Sequence, residues 1–226
     1  MSKKVQEAPE TGLEAVNDTL TSTVEKVQQN KKIIMICTLV VIAVAVLVIA
    51  YFYFLRTPAI QSQNEKIGAA DLQLALGNDS VATAQYMTIA DDGSYDAGNR
   101  AALQAAILLY QQGKYEDALK YAEKYSVQED VIGAGAQSLK GDCLVNLDRL
   151  DDAVKAYKDA VKTSDKNPAY TPFFLMKLAR VYAAQGNHKD EAAAYETIVA
   201  EYPLYGQQHG VDVEKLWERA KLEAGE

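Results

Sequence analysis

The hydrophobic residues divide the chain into one uninterrupted apolar run and a long stretch with helical periodicity. Residues 33–55 contain no charged residue, glycine or proline. As a helix this run would extend about 35 Å, enough to cross the hydrocarbon core of a bilayer. Aromatic residues gather at its end, at 51–54, as they do at membrane interfaces. The pattern predicts a transmembrane helix over 33–55, and the bulky residues that follow favour an uncleaved anchor over a signal peptide.

Basic residues flank the apolar run unevenly. Lys26, Lys31 and Lys32 precede it, whereas only Arg56 and then Lys66 follow it closely. Because positive charge stays on the cytoplasmic side of a membrane helix, we expect residues 1–32 in the cytoplasm and the remainder across the membrane.

The cytoplasmic tail has a periodic segment of its own. Apolar residues recur at steps of three and four between positions 13 and 27. This spacing predicts a short amphipathic helix. It either extends the membrane helix or forms a short coiled coil with itself or a partner.

Beyond the apolar run the sequence predicts helix after helix. Ala, Leu, Lys, Glu and Gln dominate, and no segment alternates apolar and polar residues over a sustained stretch. We therefore expect an all-α protein without a sheet. Pro, Gly and Asn-Asp breaks predict four further segments. These are a linker at 56–61, an irregular helix pair at 62–98, three repeats at 99–205 and a capping helix at 206–226 whose Val213, Leu216 and Leu222 face inward.

Small residues recur at a fixed interval in this region. Ala106, Gly141 and Ala179 are separated by 35 and 38 residues, and Ala118 and Ala153 by 35. A period near 34 in helix pairs is the signature of the tetratricopeptide repeat (TPR), in which stacked pairs form a solenoid. The fold prediction is a single transmembrane helix followed by an α-solenoid of about three TPR helix pairs with irregular terminal caps.

One position departs from this pattern. In the third repeat, Glu191 stands where the earlier repeats have Ala118 and Ala153. Two helices of one repeat approach closely only where a side chain is small. We therefore expect the third pair to be shifted by one residue or packed less closely.

Charge limits the classes of partner. The net charge is −8 at pH 7, and the acidic excess lies beyond residue 56. Phosphate binding requires a basic patch, so we expect no nucleic-acid partner. The same charge argues against a domain that lies flat on anionic lipid.

Candidate catalytic and metal-binding residues are few. His188 and His209 have no second ligand at a metal-binding spacing, and the Gly-x-Gly at 133–135 lacks the residues of a phosphate loop, which predicts an inter-repeat loop. Cys143 is expected to be a small buried residue, and it cannot pair with Cys37 in the membrane helix. We expect no enzyme, no cofactor and no metal.

The predicted binding surface is the face formed by the first helices of the repeats. The repeat alignment places there a mixture of apolar and hydrogen-bonding side chains that suits a peptide segment or a partner's helix. They are Arg100, Leu103, Ile107, Tyr110, Ser138, Asp142, Asn146, Met176, Lys177, Arg180 and Ala183. An ion pair between Asp142 and Arg180 is an alternative use of those two charges. The Lys and Asn clamp that binds chaperone C-terminal carboxylates is not reproduced, since Leu103 and Ile107 stand at those places.

The order of short tail, apolar anchor and small TPR domain resembles bacterial YfgM-type proteins. These are ancillary subunits of the Sec translocon that pair with the membrane-anchored chaperone PpiD. The resemblance is carried by GDC at 141–143, FLMKLA at 174–179 and YETIVAEYP at 195–203. The chain is also similar to envelope TPR proteins with an AGN segment, here 97–99. The resemblance implies a non-enzymatic scaffold or holdase at the outer face of the inner membrane.

These observations predict a single-pass protein of the bacterial inner membrane whose periplasmic TPR domain is an adaptor near the Sec translocon. The expected partners are translocon subunits and a PpiD-like chaperone, with self-association as a further option. Two alternatives stay open. One is an envelope-assembly or cell-division scaffold of the same fold, and the other is a structural subunit of a different membrane complex.

Overall fold

The computed structural model describes residues 28, 30–93, 95–126 and 130–226. The amphipathic helix predicted between 13 and 27 lies outside them. Helix α1, Lys31–Tyr51, carries most of the apolar run. Its residues from 31 to 49 are all exposed, on every side of the helix. By length and composition, this is the one helix of the described chain that is able to cross a membrane.

Residues 56–61 are helical, so the linker predicted there is wrong in its secondary structure. A π-helical turn, Phe52–Arg56, follows α1, and α2 is Thr57–Ala75. Pro58, which has no backbone N–H to donate, lies just after this π-helical turn within a helix that is continuous from Lys31 to Ala75. The Thr57 backbone N–H and hydroxyl both donate to the Phe52 carbonyl, at 2.8 Å for the hydroxyl.

The remaining described chain is built from helix pairs, and no strand occurs within the residues described. The helices after α2 are α3 Asp79–Asp92, α4 Tyr95–Gln111, α5 Tyr115–Lys124, α6 Asp130–Asn146, α7 Leu150–Thr163, α8 Thr171–Ala184, α9 His188–Glu201, α10 Tyr205–His209 and α11 Val213–Ala224. Pair A consists of α2 and α3, pair B of α4 and α5, pair C of α6 and α7, and pair D of α8 and α9. Two further helices, α10 and α11, follow pair D.

All four pairs turn in the same way. The turn residue has positive φ in each, at Gly77, Gly113, Asp148 and Gly186. In each turn this residue donates its N–H three residues back, and the next residue donates five residues back. This is the double hydrogen bond of a Schellman motif, which requires a left-handed residue. Pair A shares the turn, so the repeat begins earlier in the chain than its sequence period indicated.

Small residues fill the crossing between the helices of pairs B and C, as predicted. Ala106, Ala118 and Ala153 are completely buried. At Gly141 the neighbour is the ring of Tyr157, since a Cβ built there would lie 2.6 Å from Cε1 of that ring. Glycine is therefore required at this position so that Tyr157 can lie flat against α6.

Helix α6 begins earlier than the sequence indicated. Gly133 and Gly135, predicted to lie in a loop, are helical. Ala134 between them is completely buried and packs with Ala160 and Phe174. This packing overrides the low helix propensity of glycine.

The C-terminal helix α11 covers the end of pair D by packing on α9. Val213 and Ala220 are buried, and Leu216 and Trp217 pack against the same cluster. Leu222 was expected to face inward, but it is 77% exposed. It lies two residues after Ala220, which is about 200° around the helix.

Candidate functional site

A groove runs across the first helices of pairs B, C and D. It encloses a cavity of about 430 Å³. Its walls are mainly apolar, and Val131, Ile132, Tyr170 and Phe173 are each about half exposed. The lining residues are Leu103 and Ile107 from α4, Val131, Ile132, Gly135, Ala136, Ser138, Leu139 and Asp142 from α6, Tyr170 before α8, and Phe173, Phe174 and Lys177 from α8.

Two charged side chains meet in this groove and neutralise each other. Lys177 Nζ lies 2.7 and 2.6 Å from the two carboxylate oxygens of Asp142 and 3.1 Å from Ser138 Oγ. The Tyr157 hydroxyl donates to Asp142 Oδ1 at 2.6 Å. Lys177 also lies over the Phe173 ring, 4.8 Å from its centroid. The ammonium is therefore fully engaged within the protein.

Asp142, Tyr157 and Lys177 form what we call the C–D cluster, because they join pairs C and D. Asp142 and Lys177 each have 22% of the side chain exposed. Burial raises the pKa of Tyr157 well above its usual range, and the Asp142 carboxylate adds to this effect. The phenol therefore stays protonated and remains a hydrogen-bond donor to the carboxylate.

An equivalent cluster joins pairs A and B, and it contains the predicted groove residue Arg100. Arg100 forms an ion pair with Asp71 of α2, and the Tyr86 hydroxyl donates to the same carboxylate. We call these three residues the A–B cluster. Counted from the turn residue of each pair, Asp71 and Asp142 occupy one repeat position and Tyr86 and Tyr157 another. Arg100 is thus a junction residue outside the groove.

Seven of the predicted site residues lie in or beside the groove. Leu103, Ile107, Ser138, Asp142 and Lys177 line it. Asn146 lies one turn beyond Asp142, and its amide donates to the Tyr110 hydroxyl at 3.3 Å and to the Asp142 carbonyl at 2.8 Å. Tyr110 and Asn146 therefore bridge pairs B and C beside Asp142.

Besides Arg100, two further predicted site residues lie outside the groove. Met176 is buried in the core between α8, α9 and α11. Arg180 is exposed, and its charge opposes the burial that raises the pKa values of Tyr195 and Tyr205. Asp142 pairs with Lys177 and not with Arg180. Of the residues predicted on α8, Lys177 lines the groove, and it is joined there by Phe173 and Phe174.

Sequence reasoning missed the apolar walls of the groove. Val131 and Ile132 directly precede the Gly-x-Gly that predicted a loop, and Tyr170 and Phe173 lie at the start of α8. The available signal was this pair of large apolar residues before the glycines. Both residues are part of α6, and they form one wall of the groove.

Cys143 behaves as predicted from its surroundings. It is completely buried between the helices of pair C. Burial raises the pKa of its thiol to about 12, with a smaller contribution from Asp142. A thiol with such a pKa is not a nucleophile at neutral pH.

His188 has neighbours that sequence spacing did not indicate. Its Nδ1 lies 2.8 Å from Glu191 Oε2 and 3.2 Å from Glu223 Oε2. Glu191 is completely buried and also contacts Arg219 of α11. The position that departs from the alanine pattern therefore packs against the capping helix.

Comparison with solved structures finds the same fold in several TPR proteins. The crystal structure of MamA protein superposes with a TM-score of 0.56 at 17% identity, covering 73% of this chain and 89% of that one. YrrB, described as a TPR protein with an unusual peptide-binding site, gives 0.54 at 16% identity, covering 75% and 83%. A search of curated proteins gave no match.

The family assignment agrees with the repeated turns and the period. A profile of the tetratricopeptide repeat-like domain matches residues 59–183. The match begins within α2, ends within α8 and includes the groove residues of pairs B and C. Since it covers more than half of the chain, the protein belongs to the tetratricopeptide repeat-like domain family.

Proposed function

We propose that this protein is a membrane-anchored, non-enzymatic adaptor that holds an apolar segment of a protein partner in the groove. The observation that carries the proposal is the wall of half-exposed apolar side chains from successive first helices. Phe173 alone is 42% exposed. Apolar clefts of this kind bind helices or extended segments through a few anchoring side chains. The cavity is large enough for two or three such side chains.

Membrane anchoring is supported by α1. Large apolar side chains are exposed on every side of this helix, which suits hydrocarbon and not water. The lysines before the run support a cytoplasmic N-terminus. With that orientation, the TPR domain lies in the periplasm of a bacterial cell and the anchor in the inner membrane.

The resemblance to YfgM-type proteins supports partners at the Sec translocon, including a PpiD-like chaperone. YrrB, which shares the fold, is described as having a peptide-binding site. In this proposal, the groove holds an apolar segment of a translocon-associated chaperone or of a chain that has just crossed the membrane. The adaptor would then keep chaperone and substrate close to the exit of the channel.

The test is site-specific photocrosslinking in intact cells. A photoreactive residue replaces Phe173 in the groove, and a matched one replaces Lys155, whose side chain is 75% exposed on α7 and outside the groove. We expect crosslinks to translocon subunits, a periplasmic chaperone or nascent chains from position 173 and none from 155. Crosslinks only to envelope-assembly factors would favour the alternative scaffold, and no crosslinks from position 173 would contradict the groove.

Two variants on helix α6 measure how much the groove contributes to partner binding. Ile132 lines the groove and Val145 does not, yet both are exposed on α6. Ile132→Asp should abolish capture of the crosslinked partner, because an unpaired carboxylate would have to enter an apolar interface. Val145→Asp should leave capture unchanged. Equal capture by both variants would place the binding surface elsewhere.

A further inference from the structure

A polar cluster around the buried Glu191 lies away from the groove, between the start of α9 and the capping helix α11. It consists of His188, Glu191, Arg219 and Glu223. His188 and Glu191 lie one turn apart on α9, while Arg219 and Glu223 lie one turn apart on α11. One atom each from His188, Glu191 and Glu223 fall together within 4.8 Å. Three potential metal-ligating groups thus converge from two helices.

The carboxylate oxygens are divided between two neighbours. Both Oε2 atoms face His188 Nδ1, at 2.8 Å from Glu191 and 3.2 Å from Glu223. Both Oε1 atoms face Arg219, at 3.2 Å from Glu191 and 3.8 Å from Glu223. Three electron-rich atoms that point at one another repel unless a proton or a metal ion lies between them. The arginine holds the other oxygens in the way that outer-shell groups orient metal-ligating carboxylates.

The fold does not require a carboxylate at this position. Counted from the turn residue, Glu191 is equivalent to Ala82, Ala118 and Ala153 in the other pairs, and all four are completely buried. Alanine fills the crossing in three of the four pairs. A buried carboxylate is expensive to desolvate, and an apolar residue would serve stability as well or better. The glutamate at this crossing is therefore present for its charge, which faces both Arg219 and His188.

We propose that His188 Nδ1, Glu191 Oε2 and Glu223 Oε2 bind one divalent transition-metal ion of the zinc class. An imidazole nitrogen and two carboxylate oxygens form a ligand set that suits Zn²⁺, with water in the fourth position. Metal–ligand bonds of about 2.0–2.2 Å in a tetrahedral site separate the donor atoms by about 3.3 Å. The two distances from His188 are within about half an ångström of that value, so small side-chain movements would complete the site.

The ion would join the last helix pair to the capping helix. His188 and Glu191 belong to α9, and Glu223 belongs to α11, so binding would hold α11 over the end of the solenoid. Since the ion binds the folded arrangement only, it would raise the stability of the folded domain. The groove lies elsewhere and would not change.

The experiment uses the untagged full-length chain in detergent, stripped with a chelator and titrated with Zn²⁺ by calorimetry. Co²⁺ gives a second readout, since tetrahedral coordination produces visible absorption bands. We expect one equivalent of Zn²⁺ to bind and to raise the midpoint of thermal unfolding. Glu223→Gln should weaken Zn²⁺ affinity at least about tenfold, the scale on which even outer-shell changes act in metal sites. It should also remove the thermal shift.

Two controls separate the loss of a metal ligand from unfolding of the protein and from binding at the other histidine. Glu223 is partly exposed, so Glu223→Gln should retain full helicity, which circular dichroism verifies. His209→Gln removes the only other histidine and should leave Zn²⁺ affinity unchanged. Absence of saturable 1:1 binding in the wild type, or equal affinity in wild type and Glu223→Gln, would overturn the proposal.

Discussion

The A–B and C–D clusters are two versions of one arrangement. In both, a tyrosine of the second helix donates to an aspartate of the first helix, and a cation from the next pair completes the contact. They differ in burial and in the cation. Arg100 is 56% exposed, whereas Lys177 is 22% exposed. Exposed ion pairs contribute little because water screens them, so the two clusters should differ mainly in what the cation contributes.

The junction between pairs B and C has neither component. Ile107 stands at the aspartate position and Ala122 at the tyrosine position. The groove opens at this junction, and Ile107 lines it. Polar clusters thus join pair A to pair B and pair C to pair D, whereas the junction between pairs B and C offers apolar surface to a partner.

The largest expected change in the free energy of unfolding comes from replacing the cationic residue of each cluster in turn. Lys177→Met should lower the free energy of unfolding by about 2 kcal/mol, because it leaves the Asp142 carboxylate half-paired in a poorly hydrated site. Arg100→Met should lower it by about 0.5 kcal/mol, the scale of an exposed pair. Urea unfolding followed by circular dichroism measures both. Equal losses would mean that the clusters do not differ in the way their burial indicates.

The next effect concerns the tyrosine half of the clusters. Gly141→Ala places a methyl group against the Tyr157 ring, as close as 2.6 Å before relaxation. We expect a net loss of about 1.5 kcal/mol, since the overpacking exceeds the gain in helix propensity. In the A–B cluster the equivalent residue is already alanine, Ala70, and Ala70→Gly should cost at least about 1 kcal/mol, because it loses helix propensity and a completely buried methyl group. A stabilised Gly141→Ala protein would contradict the packing argument.

Alkaline pH should affect the two clusters equally. Burial raises the pKa values of Tyr86 and Tyr157 well above their usual range, and the neighbouring carboxylates add to the shift. The folded state thus holds these protons more tightly than the unfolded chain. The associated stability is complete below about pH 10 and is lost as pH rises further, by about 1.4 kcal/mol per pH unit for each tyrosine.

Single Tyr→Phe variants test this symmetry. Tyr86→Phe and Tyr157→Phe should each make the fall in stability between pH 10 and 11 shallower by the same amount. The measurement is urea unfolding at a series of pH values. A change in slope for only one variant would show that the two phenols do not sit in equivalent settings.

The smallest expected change in stability concerns the turns between the two helices of each pair. Asp148 is the one non-glycine among the four left-handed turn residues, with φ of 56°. Asp148→Gly should raise the free energy of unfolding by about 0.5 kcal/mol, because relief of backbone strain slightly exceeds the extra freedom of the unfolded chain. Gly186→Asp is the reverse control and should cost about 1 kcal/mol through backbone strain alone, because φ there is 70° and an added side chain meets no neighbour. Thermal midpoints compare the two variants.

Sequence was sufficient for features that repeat. The helix pairs follow from a period of small residues, because each close crossing demands one. The apolar helix follows from composition alone. Helix starts were less predictable, since Gly133 and Pro58 are helical only because of contacts or hydrogen bonds that the local sequence does not display.

The direction in which helical side chains point was the other feature that could not be predicted reliably from the sequence. A shift of one residue rotates a helix face by about 100°, which separates buried Met176 from groove-lining Lys177. The partners of Glu191 were also beyond reach. Besides His188, its partner is Arg219 of α11, 28 residues further along the chain, and sequence spacing does not show which face of that helix turns inward.

The mutual neutralisation of Asp142 and Lys177 has a consequence for how a partner is held. Long-range attraction between a charged groove and a charged peptide weakens as salt is added. Here the ammonium is already bound by carboxylate oxygens, and the walls of the groove are apolar. Affinity at this groove would vary little with ionic strength, so a partner stays bound when the surrounding medium is diluted or concentrated.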